Sequence, residues 1–211
     1  MIYVIMAAGE GKRWNNYLGI PKHLIEINGE TLLARTTRLL KENGITDYII
    51  TGHDSRYSEY GKLSAQTDND CEIDRFEKVN EPVCYLYGDV YYTEDAIKKI
   101  INTPVEDVIF LGSGQEIFAV KVKDLDLFYR HKNEVKKLYL DGKIKRCIGW
   151  EVYRSITGTP LDKHWIRGKY VYIEDETDDI DYPEDYERFK AKREKKWDLV
   201  LLFPIITLKN G

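Results

Sequence analysis

The chain has 211 residues, with 32 Lys and Arg against 36 Asp and Glu and a formal net charge of −4. This length is typical of one domain with a substantial core. The nearly balanced charge excludes a broad basic footprint for nucleic acid or for an anionic membrane, and the apolar runs are too short to span a bilayer. Three widely spaced cysteines show neither metal-site spacing nor a disulfide framework, so we expect a reduced, cytoplasmic compartment.

Strands and helices alternate in the predicted element order, which indicates an α/β fold. Short apolar runs followed by glycine are typical of buried parallel strands, and such sequences fold as a three-layer αβα sandwich with a mostly parallel, mixed sheet. In chain order we predict strands at Tyr3–Met6, Tyr48–Thr51, Val83–Tyr87, Val108–Leu111, Ile117–Val122 and Tyr170–Ile173, and helices at 30–43, 93–102, 124–140, around 145–156 and from Pro183 onward. Residues 54–70 are polar and are predicted to be mainly loop.

The segment after the first predicted strand reads Ala-Ala-Gly-Glu-Gly-Lys-Arg over residues 7–13, and Lys22 follows soon after. Small residues let backbone N–H groups approach an anion, and clustered cations neutralise it. A dinucleotide fingerprint would need glycine where Trp14 stands. A P-loop would need glycine at Met6 and Ser or Thr at Arg13. The loop therefore suits a nucleoside triphosphate but belongs to another class of phosphate site.

Two acidic positions complement this loop. Asp89 directly follows a predicted strand, and ligands of open α/β sheets bind at the carboxyl ends of strands. Gly88 before it would let the backbone come close to a ligand. Asp179 and Asp181 alternate across Ile180, so in an extended segment both carboxylates point to one side. Together these carboxylates predict an Mg²⁺ site, although Asp89 is also interpretable as an ordinary turn residue.

These motifs together resemble the nucleotidyltransferase family. The matching segments are 7–13, Pro21-Lys22, 29–35, Gly88-Asp89 and 179–185. Members of the family include sugar-1-phosphate nucleotidyltransferases, phosphocholine and other cytidylyltransferases, and molybdenum-cofactor nucleotidyltransferases. The resemblance implies a Rossmann-like nucleotidyltransferase fold in a single domain over residues 1–211. Its expected parts are a nucleotide-binding core at 1–122, an acceptor-binding part at 123–175, and a metal loop with a C-terminal helix or strand at 176–211.

The resemblance also implies roles for individual residues. Arg13 and Lys22 would be the catalytic cations on the triphosphate. The implied nucleotide-binding residues are Ala7, Ala8, Gly9, Gly11, Lys12 and Asn80, and the implied Mg²⁺ ligands are Asp89, Asp179 and Asp181. Lys12 is equally well interpreted as an exposed loop lysine.

Candidates for the acceptor pocket lie later in the chain, at Glu116, Trp150 and Glu151. Trp150 could stack on a sugar or enclose a cationic head group, but its spacing to Tyr153 also fits simple helix packing. The Glu-Lys-Pro stretch of the sugar-1-phosphate members is absent from the sequence. The chain is more similar to the shorter cytidylyltransferase-like members, which favours CTP or UTP and a sugar phosphate or small phosphorylated alcohol or amine.

The expected reaction is attack of an acceptor phosphate oxygen on the α-phosphorus of the triphosphate, with release of pyrophosphate. Its product would be an activated small molecule for polysaccharide biosynthesis. Two alternatives stay open: a molybdenum-cofactor nucleotidyltransferase, and a nucleotide-binding regulatory module without catalysis. The apolar run at 199–206 is a candidate sheet edge or homodimer contact.

Overall fold

A computed structural model describes residues 1–66 and 70–201 of the chain. The strands are β1 (Ile2–Ala7), β2 (Glu26–Ile27), β3 (Glu30–Thr31), β4 (Tyr48–Gly52), β5 (Lys62–Ala65), β6 (Val83–Tyr87), β7 (Val90–Tyr91), β8 (Val108–Gly112), β9 (Ile117–Val122), β10 (Tyr170–Tyr172) and β11 (Asp178–Asp179). The helices are α1 (Leu32–Glu42), α2 (Glu94–Asn102), α3 (Leu125–Leu140), α4 (Gly149–Thr157) and α5 (Pro183–Leu201), and short 3₁₀ turns occur at Tyr17–Gly19, Lys22–Leu24, Ser55–Glu59 and Glu72–Arg75.

A seven-stranded sheet runs in the order β10-β8-β9-β6-β1-β4-β5. β1 lies at its centre between β4 and β6 and is parallel to both. β9 is antiparallel to its neighbours β6 and β8, because a short turn joins β8 directly to β9. The outer pairs β8–β10 and β4–β5 are parallel. This arrangement confirms the predicted mostly parallel, mixed sheet.

Helices cover both faces of the sheet. Side chains of a strand alternate between its two faces, and β1 shows the consequence. Ile5 belongs to a buried cluster with Leu33 of α1 and Ile97 of α2. Its neighbour Val4 belongs to a second cluster with Phe128 of α3. Burying each such side chain contributes about 1.5–3 kcal/mol. Two cores on opposite faces of one sheet confirm the predicted three-layer sandwich.

The polar segment 54–70 contains more regular structure than predicted. A 3₁₀ turn occupies Ser55–Glu59, and β5 (Lys62–Ala65) pairs with β4 at the edge of the sheet. A four-residue edge strand with a single large apolar residue has almost no hydrophobic signal, which explains the wrong prediction of loop. The fourth predicted helix also begins later than expected, at Gly149 rather than near 145.

A third, smaller cluster lies beside the carboxyl end of β1. Trp14 and Ile27 pack there with Ile180 and with Tyr186 of α5. Ile27 comes from the hairpin β2–β3, whose turn residues Asn28 and Gly29 have φ of 57° and 76°, as a type I′ turn requires. The cluster therefore joins the segment after β1 to the acidic segment some 170 residues later.

The predicted apolar run at 199–206 extends beyond Leu201, so residues 202–206 lie outside the described part and the homodimer contact stays a prediction. Among residues 1–66 and 70–201, no helix is long and apolar enough to cross a membrane.

Candidate active site

The loop after β1 is anchored by Trp14. The indole is almost fully buried, and its Nε1–H donates to the carbonyl of Ile20 at 2.8 Å. Tyr17 and Tyr186 meet the ring edge-on at centroid distances of 5.2 and 6.1 Å. Gly11 takes a φ of +61°, which favours glycine. Trp14 thus holds the loop in place while the glycine backbone faces a cavity.

Three cavities meet around this loop. The first, of about 330 Å³, is lined by residues 9–14 together with Lys22 and Arg75. The second, of about 320 Å³, lies towards His53. The third is much smaller, about 50 Å³, and Trp150 lines it. Four residues line both the first and the third cavity: Arg13, Glu72, Arg75 and Asp181. The first and third cavities are therefore two compartments with a shared charged wall.

Lys22 is the buried cation beside this wall. Its Nζ lies 2.5 Å from Asp89 Oδ2 and 3.0 Å from Asp181 Oδ1, and only 8% of its side chain is exposed. Burial alone would lower the pKa of Lys22, but the two carboxylates raise it above its ordinary value. Burial alone would raise the pKa of Asp89, but Lys22 lowers it to about 2. Both groups are therefore charged at neutral pH.

Arg13 approaches the same wall from the solvent side. Its Nη1 lies 2.5 Å from Asp181 Oδ2, and its guanidinium stands 5.6 Å from the ring centre of Tyr182. More than half of the Arg13 side chain, 55%, is exposed. Asp181 therefore accepts from two cations, and Arg13 has donors left for an anion in the cavity.

Asp89 and the distant acidic segment are joined through the backbone. Asp179 pairs with Val90 in the small antiparallel sheet β7–β11. The amide of Ile180 donates to the carbonyl of Asp89 at 3.0 Å. This pairing brings Asp179 and Asp181 to the third cavity beside Asp89. The alternation across Ile180 predicted from the sequence is thus realised: Ile180 is buried and the two flanking aspartates line the cavity.

The third cavity contains more carboxylates than its cations neutralise. Burial, and then Asp181 and Glu72, raise the pKa of Glu116 to about 7. Burial, and then Glu116 and Asp181, raise the pKa of Asp179. A surplus of oxygen ligands is the environment in which a divalent cation binds.

The carboxylates of this cavity match what Mg²⁺ requires only in part. In the described part of the chain, no three His, Cys, Asp or Glu side chains form a metal cage by themselves. Mg²⁺ usually takes one or two protein carboxylates and completes its shell with water and substrate phosphates. Asp89 and Asp181, which both form ion pairs with Lys22, provide such a pair of carboxylates. The residues present therefore fit Mg²⁺ as a cation that binds together with a phosphate substrate.

Most of the predicted site residues lie together. Around the first cavity are Gly9, Gly11, Lys12, Arg13, Lys22 and Asp181, and around the third are Asp89, Glu116, Trp150, Asp179 and Asp181. Ala7 lines the second cavity, and Ala8 is buried. The Lys12 side chain is 85% exposed and pairs with Glu10 at 2.7 Å, the geometry of an exposed loop lysine.

The structure places two predicted residues elsewhere. Asn80 precedes β6 and lies in a shallow depression with Pro82 and Lys123, at the amino end of the sheet, whereas the cavities lie at the carboxyl end. Glu151 is buried against Arg154 at 2.8 Å and Arg146 at 3.0 Å. Adjacent residues on a helix point in different directions, so Glu151 turns away from the cavity that Trp150 lines.

One glycine has a different partner from the one expected. A Cβ at Gly88 would lie 2.8 Å from the carbonyl oxygen of Met6. The Gly88 amide donates to that carbonyl at 3.0 Å. The backbone at Gly88 therefore lies close to the end of β1, whereas the sequence predicted a close approach to a ligand.

Sequence reasoning missed several cavity residues, among them Glu72, Arg75 and Tyr87. The Glu72 carboxylate accepts from the Gly149 amide and the Tyr87 hydroxyl, both at 3.0 Å. The guanidinium of Arg75 would stand 3.1 Å from a Cβ at Gly9, so it lies flat against the loop. The sequence shows only a Glu and an Arg three residues apart after a polar segment. Such a pair is common in solvent-exposed turns, so it did not indicate a site.

Comparison with known proteins agrees with this geometry. Residues 3–75 match the model of the MobA-like NTP transferase domain, a segment that contains Arg13, Lys22 and Arg75. No curated protein matches the chain. The family model covers about a third of the chain. For the other two thirds, the likeness to known proteins comes from solved structures.

Several solved structures share the fold over nearly their whole length. CTP:phosphocholine cytidylyltransferase from Streptococcus pneumoniae is 16% identical with a TM-score of 0.56, covering 90% of this chain and 98% of that one. The inositol-1-phosphate CTP transferase from T. maritima is 12% identical with a TM-score of 0.56, covering 92% and 96%. A nucleotidyl transferase from Methanothermobacter is 15% identical with a TM-score of 0.55, covering 92% and 98%. The resemblance to nucleotidyltransferases inferred from the sequence is thereby confirmed over residues 3–75. The solved structures confirm the Rossmann-like α/β fold.

Proposed function

We propose that the chain transfers a nucleotidyl group from a nucleoside triphosphate to a phosphorylated small molecule and releases pyrophosphate. One observation carries the proposal: Arg13, Arg75 and Asp181 line both the first and the third cavity. A reaction between two anions needs two compartments with cations at their junction, because charge neutralisation is its central task.

The first cavity suits the triphosphate. The backbone of Gly9 and Gly11 faces it, and Arg13 and Lys22 lie on its wall. Small residues and clustered cations are the chemistry that holds phosphates. We favour CTP or UTP, and two of the structural neighbours are CTP-using enzymes by name.

The third cavity suits the reacting end of the acceptor. Its volume of about 50 Å³ is far smaller than a pocket that encloses a whole ligand. Trp150 offers an apolar wall and Glu116 a carboxylate for hydroxyl or amino groups. This combination supports a small phosphorylated alcohol, amine or sugar.

Asp89 and Asp181, with Asp179 beside them, are the residues that would hold Mg²⁺. When bound, the cation would supply positive charge to the phosphates at the junction of the two cavities. Asp89 and Asp181 also fix Lys22, so the same side chains orient the protein's own cation.

The chain's residues then act mainly by neutralisation and positioning. A nonbridging oxygen of the acceptor phosphate forms a bond to the α-phosphorus. The bond from the α-phosphorus to the bridging oxygen breaks, and pyrophosphate leaves with that electron pair. Arg13 and Lys22 stabilise the charge on the transferring and leaving phosphates. A phosphate monoester is already ionised at neutral pH, so the reaction needs no dedicated base.

A pyrophosphate-release screen of ATP, CTP, GTP and UTP against a panel of phosphorylated alcohols, amines and sugars tests the proposal. We expect pyrophosphate release with one combination of nucleotide and acceptor class. The release should require nucleotide, acceptor and Mg²⁺ together. Release with GTP and a phosphorylated pterin would favour the molybdenum-cofactor alternative. Nucleotide binding without release in any pair would favour the regulatory module and reject the proposed transfer.

Three broader predictions from the sequence accompany this proposal. The division into a nucleotide part at 1–122, an acceptor part at 123–175 and a metal part at 176–211 stays a prediction. Ile148 and Trp150 bring the acceptor part to the third cavity, and Asp179 and Asp181 bring the metal part there, but most residues that line this cavity come from 1–122. A role in polysaccharide biosynthesis and a cytoplasmic location are further parts of the proposal.

A further inference from the structure

Two of the three cysteines lie in direct contact although 76 positions separate them in the sequence. The Sγ atoms of Cys71 and Cys147 are 2.8 Å apart, and both thiols are free. A disulfide bond is about 2.05 Å long. Bond formation therefore requires a movement of less than about 1 Å, which side-chain rotation and small backbone shifts supply.

The two sulfurs lie where two walls of the site meet. Cys71 precedes the 3₁₀ turn Glu72–Arg75, which contributes to both the first and the third cavity. Cys147 precedes α4, which brings Trp150 to the third cavity. The walls are already linked by hydrogen bonds from the Ile73 amide to the Cys147 carbonyl at 3.4 Å and from the Gly149 amide to Glu72.

The cysteines differ in their access to solvent. Cys71 is partly exposed and lines the first cavity, whereas Cys147 is only 4% exposed behind it. Cys84 is fully buried on β6, in the core cluster on the opposite face of the sheet from Cys147. An oxidant in the cavity reaches Cys71 first, and Cys147 is the thiol in contact with it.

We propose that Cys71 and Cys147 are a dithiol–disulfide pair whose oxidation covalently fastens the Glu72–Arg75 turn to the start of α4. The disulfide joins the turn that lines both the first and the third cavity to the start of the helix that brings Trp150 to the third cavity. Because Cys71 lines the cavity assigned to the triphosphate, bound nucleotide shields the pair from oxidation. The shielding by nucleotide rests on the proposed function, whereas the dithiol–disulfide pair does not.

The oxidation balances with a small disulfide such as oxidised glutathione as the oxidant. The Cys71 thiolate attacks one glutathione sulfur, the glutathione disulfide bond breaks, and one glutathione thiol leaves. The Cys147 thiolate then attacks Cys71 Sγ and releases the second glutathione. In total, the pair gives up two protons and two electrons, and the oxidant becomes two thiols. Burial raises the pKa of both cysteine thiols, so the exchange is expected to be faster at alkaline pH.

The test uses the folded full chain, incubated with oxidised glutathione at about pH 8.5 and then alkylated. Peptide mass spectrometry is expected to show a Cys71–Cys147 linked peptide and an alkylated Cys84. The oxidised protein is expected to melt at least about 5 °C higher, because the bond closes a loop of more than 70 residues. Reduction with dithiothreitol should restore the original melting temperature.

Matched variants separate the pair from general thiol oxidation. Cys84→Ala should still form the linked peptide, whereas Cys71→Ala and Cys147→Ala should form none and show no shift in melting temperature on oxidation. A stable mixed disulfide of Cys71 with glutathione, or linkage to Cys84, would overturn the proposal.

A second arm repeats the oxidation with saturating MgCTP or MgUTP. We expect the linked peptide to form at least about fivefold more slowly. Formation at an unchanged rate would leave the cysteine pair established and would count against the triphosphate in the first cavity, so the two failures are distinguishable.

Discussion

The two halves of the candidate site are built in different ways. The nucleotide half comes mainly from one continuous segment, because Gly9, Gly11, Arg13 and Lys22 lie within fourteen residues, and the turn Glu72–Arg75 completes it. The acceptor half is assembled from many distant elements, among them β6, β9 and α4, and Asp179 and Asp181 arrive through the two-residue pairing β7–β11. A local motif can be recognised from residue types alone, whereas an assembled wall depends on contacts that no single segment encodes.

The largest effect is expected where the two halves are joined. Lys22→Met should lower pyrophosphate release by more than about 1,000-fold, because the buried cation is lost. It should also lower the free energy of unfolding by about 3–5 kcal/mol, since Asp89 stays buried without its ion-pair partner and Asp181 keeps only Arg13. Urea unfolding and steady-state kinetics measure the two losses.

A double variant tests the physical reason for that instability. Asp89→Asn removes the buried charge that Lys22→Met leaves unpaired, so Lys22→Met with Asp89→Asn should recover part of the lost stability while activity stays low. If Lys22→Met alone is as stable as the native chain, the ammonium does not hold the two carboxylates together.

Arg13 should separate catalysis from stability. Its side chain is half exposed, so Arg13→Ala should change the free energy of unfolding by less than about 1 kcal/mol and lower turnover by about 100-fold. Lys12→Ala is the matched control one residue earlier, and it should cost less than about threefold because Lys12 faces solvent beside Glu10. Equal losses in the two variants would show a general need for charge on the loop.

The assembled half can be tested with two adjacent residues of α4. Trp150→Ala should raise the KM for the acceptor about tenfold with little change in the KM for the triphosphate, because only the third cavity loses its wall. Glu151→Gln should lower stability by about 3 kcal/mol or more without that shift in acceptor KM, because Arg154 then stays buried without a counter-charge. A shift of acceptor KM in Glu151→Gln larger than in Trp150→Ala would contradict the placement of these side chains.

The same contrast explains how much could be predicted from the sequence. Strand and helix order, Arg13, Lys22 and the aspartates followed from apolar periodicity, strand ends and one local motif. Arg75 was missed because its role depends on lying against Gly9, a contact across 66 positions. Asn80 was placed wrongly because the sequence does not show which end of β6 faces the ligand unless the neighbouring strands are known. Glu151 was predicted together with Trp150, but only Trp150 lines the third cavity, because the orientation of α4 is fixed only by its packing.

The smallest effect concerns His23, which lies next to Lys22 but contributes to stability through its neutral form. It is fully buried, and its Nδ1 lies 2.9 Å from the Tyr57 hydroxyl. Burial lowers the pKa of His23 to about 3. Below about pH 6.5 the unfolded chain therefore takes up a proton that the folded chain does not. Stability from this group is complete above that pH and is lost as the pH falls towards 3.

Between pH 7 and pH 5 the loss from His23 should be about 2 kcal/mol. The His23→Gln variant lacks this titration, so its free energy of unfolding should fall by that much less over the same interval, whatever its stability at pH 7. Chemical unfolding of both proteins at several pH values gives the difference directly. Parallel pH profiles would mean that the folded chain protonates His23 as readily as the unfolded chain does. The segment around Lys22 would then be open to water, and the buried junction between the two halves of the site would not exist.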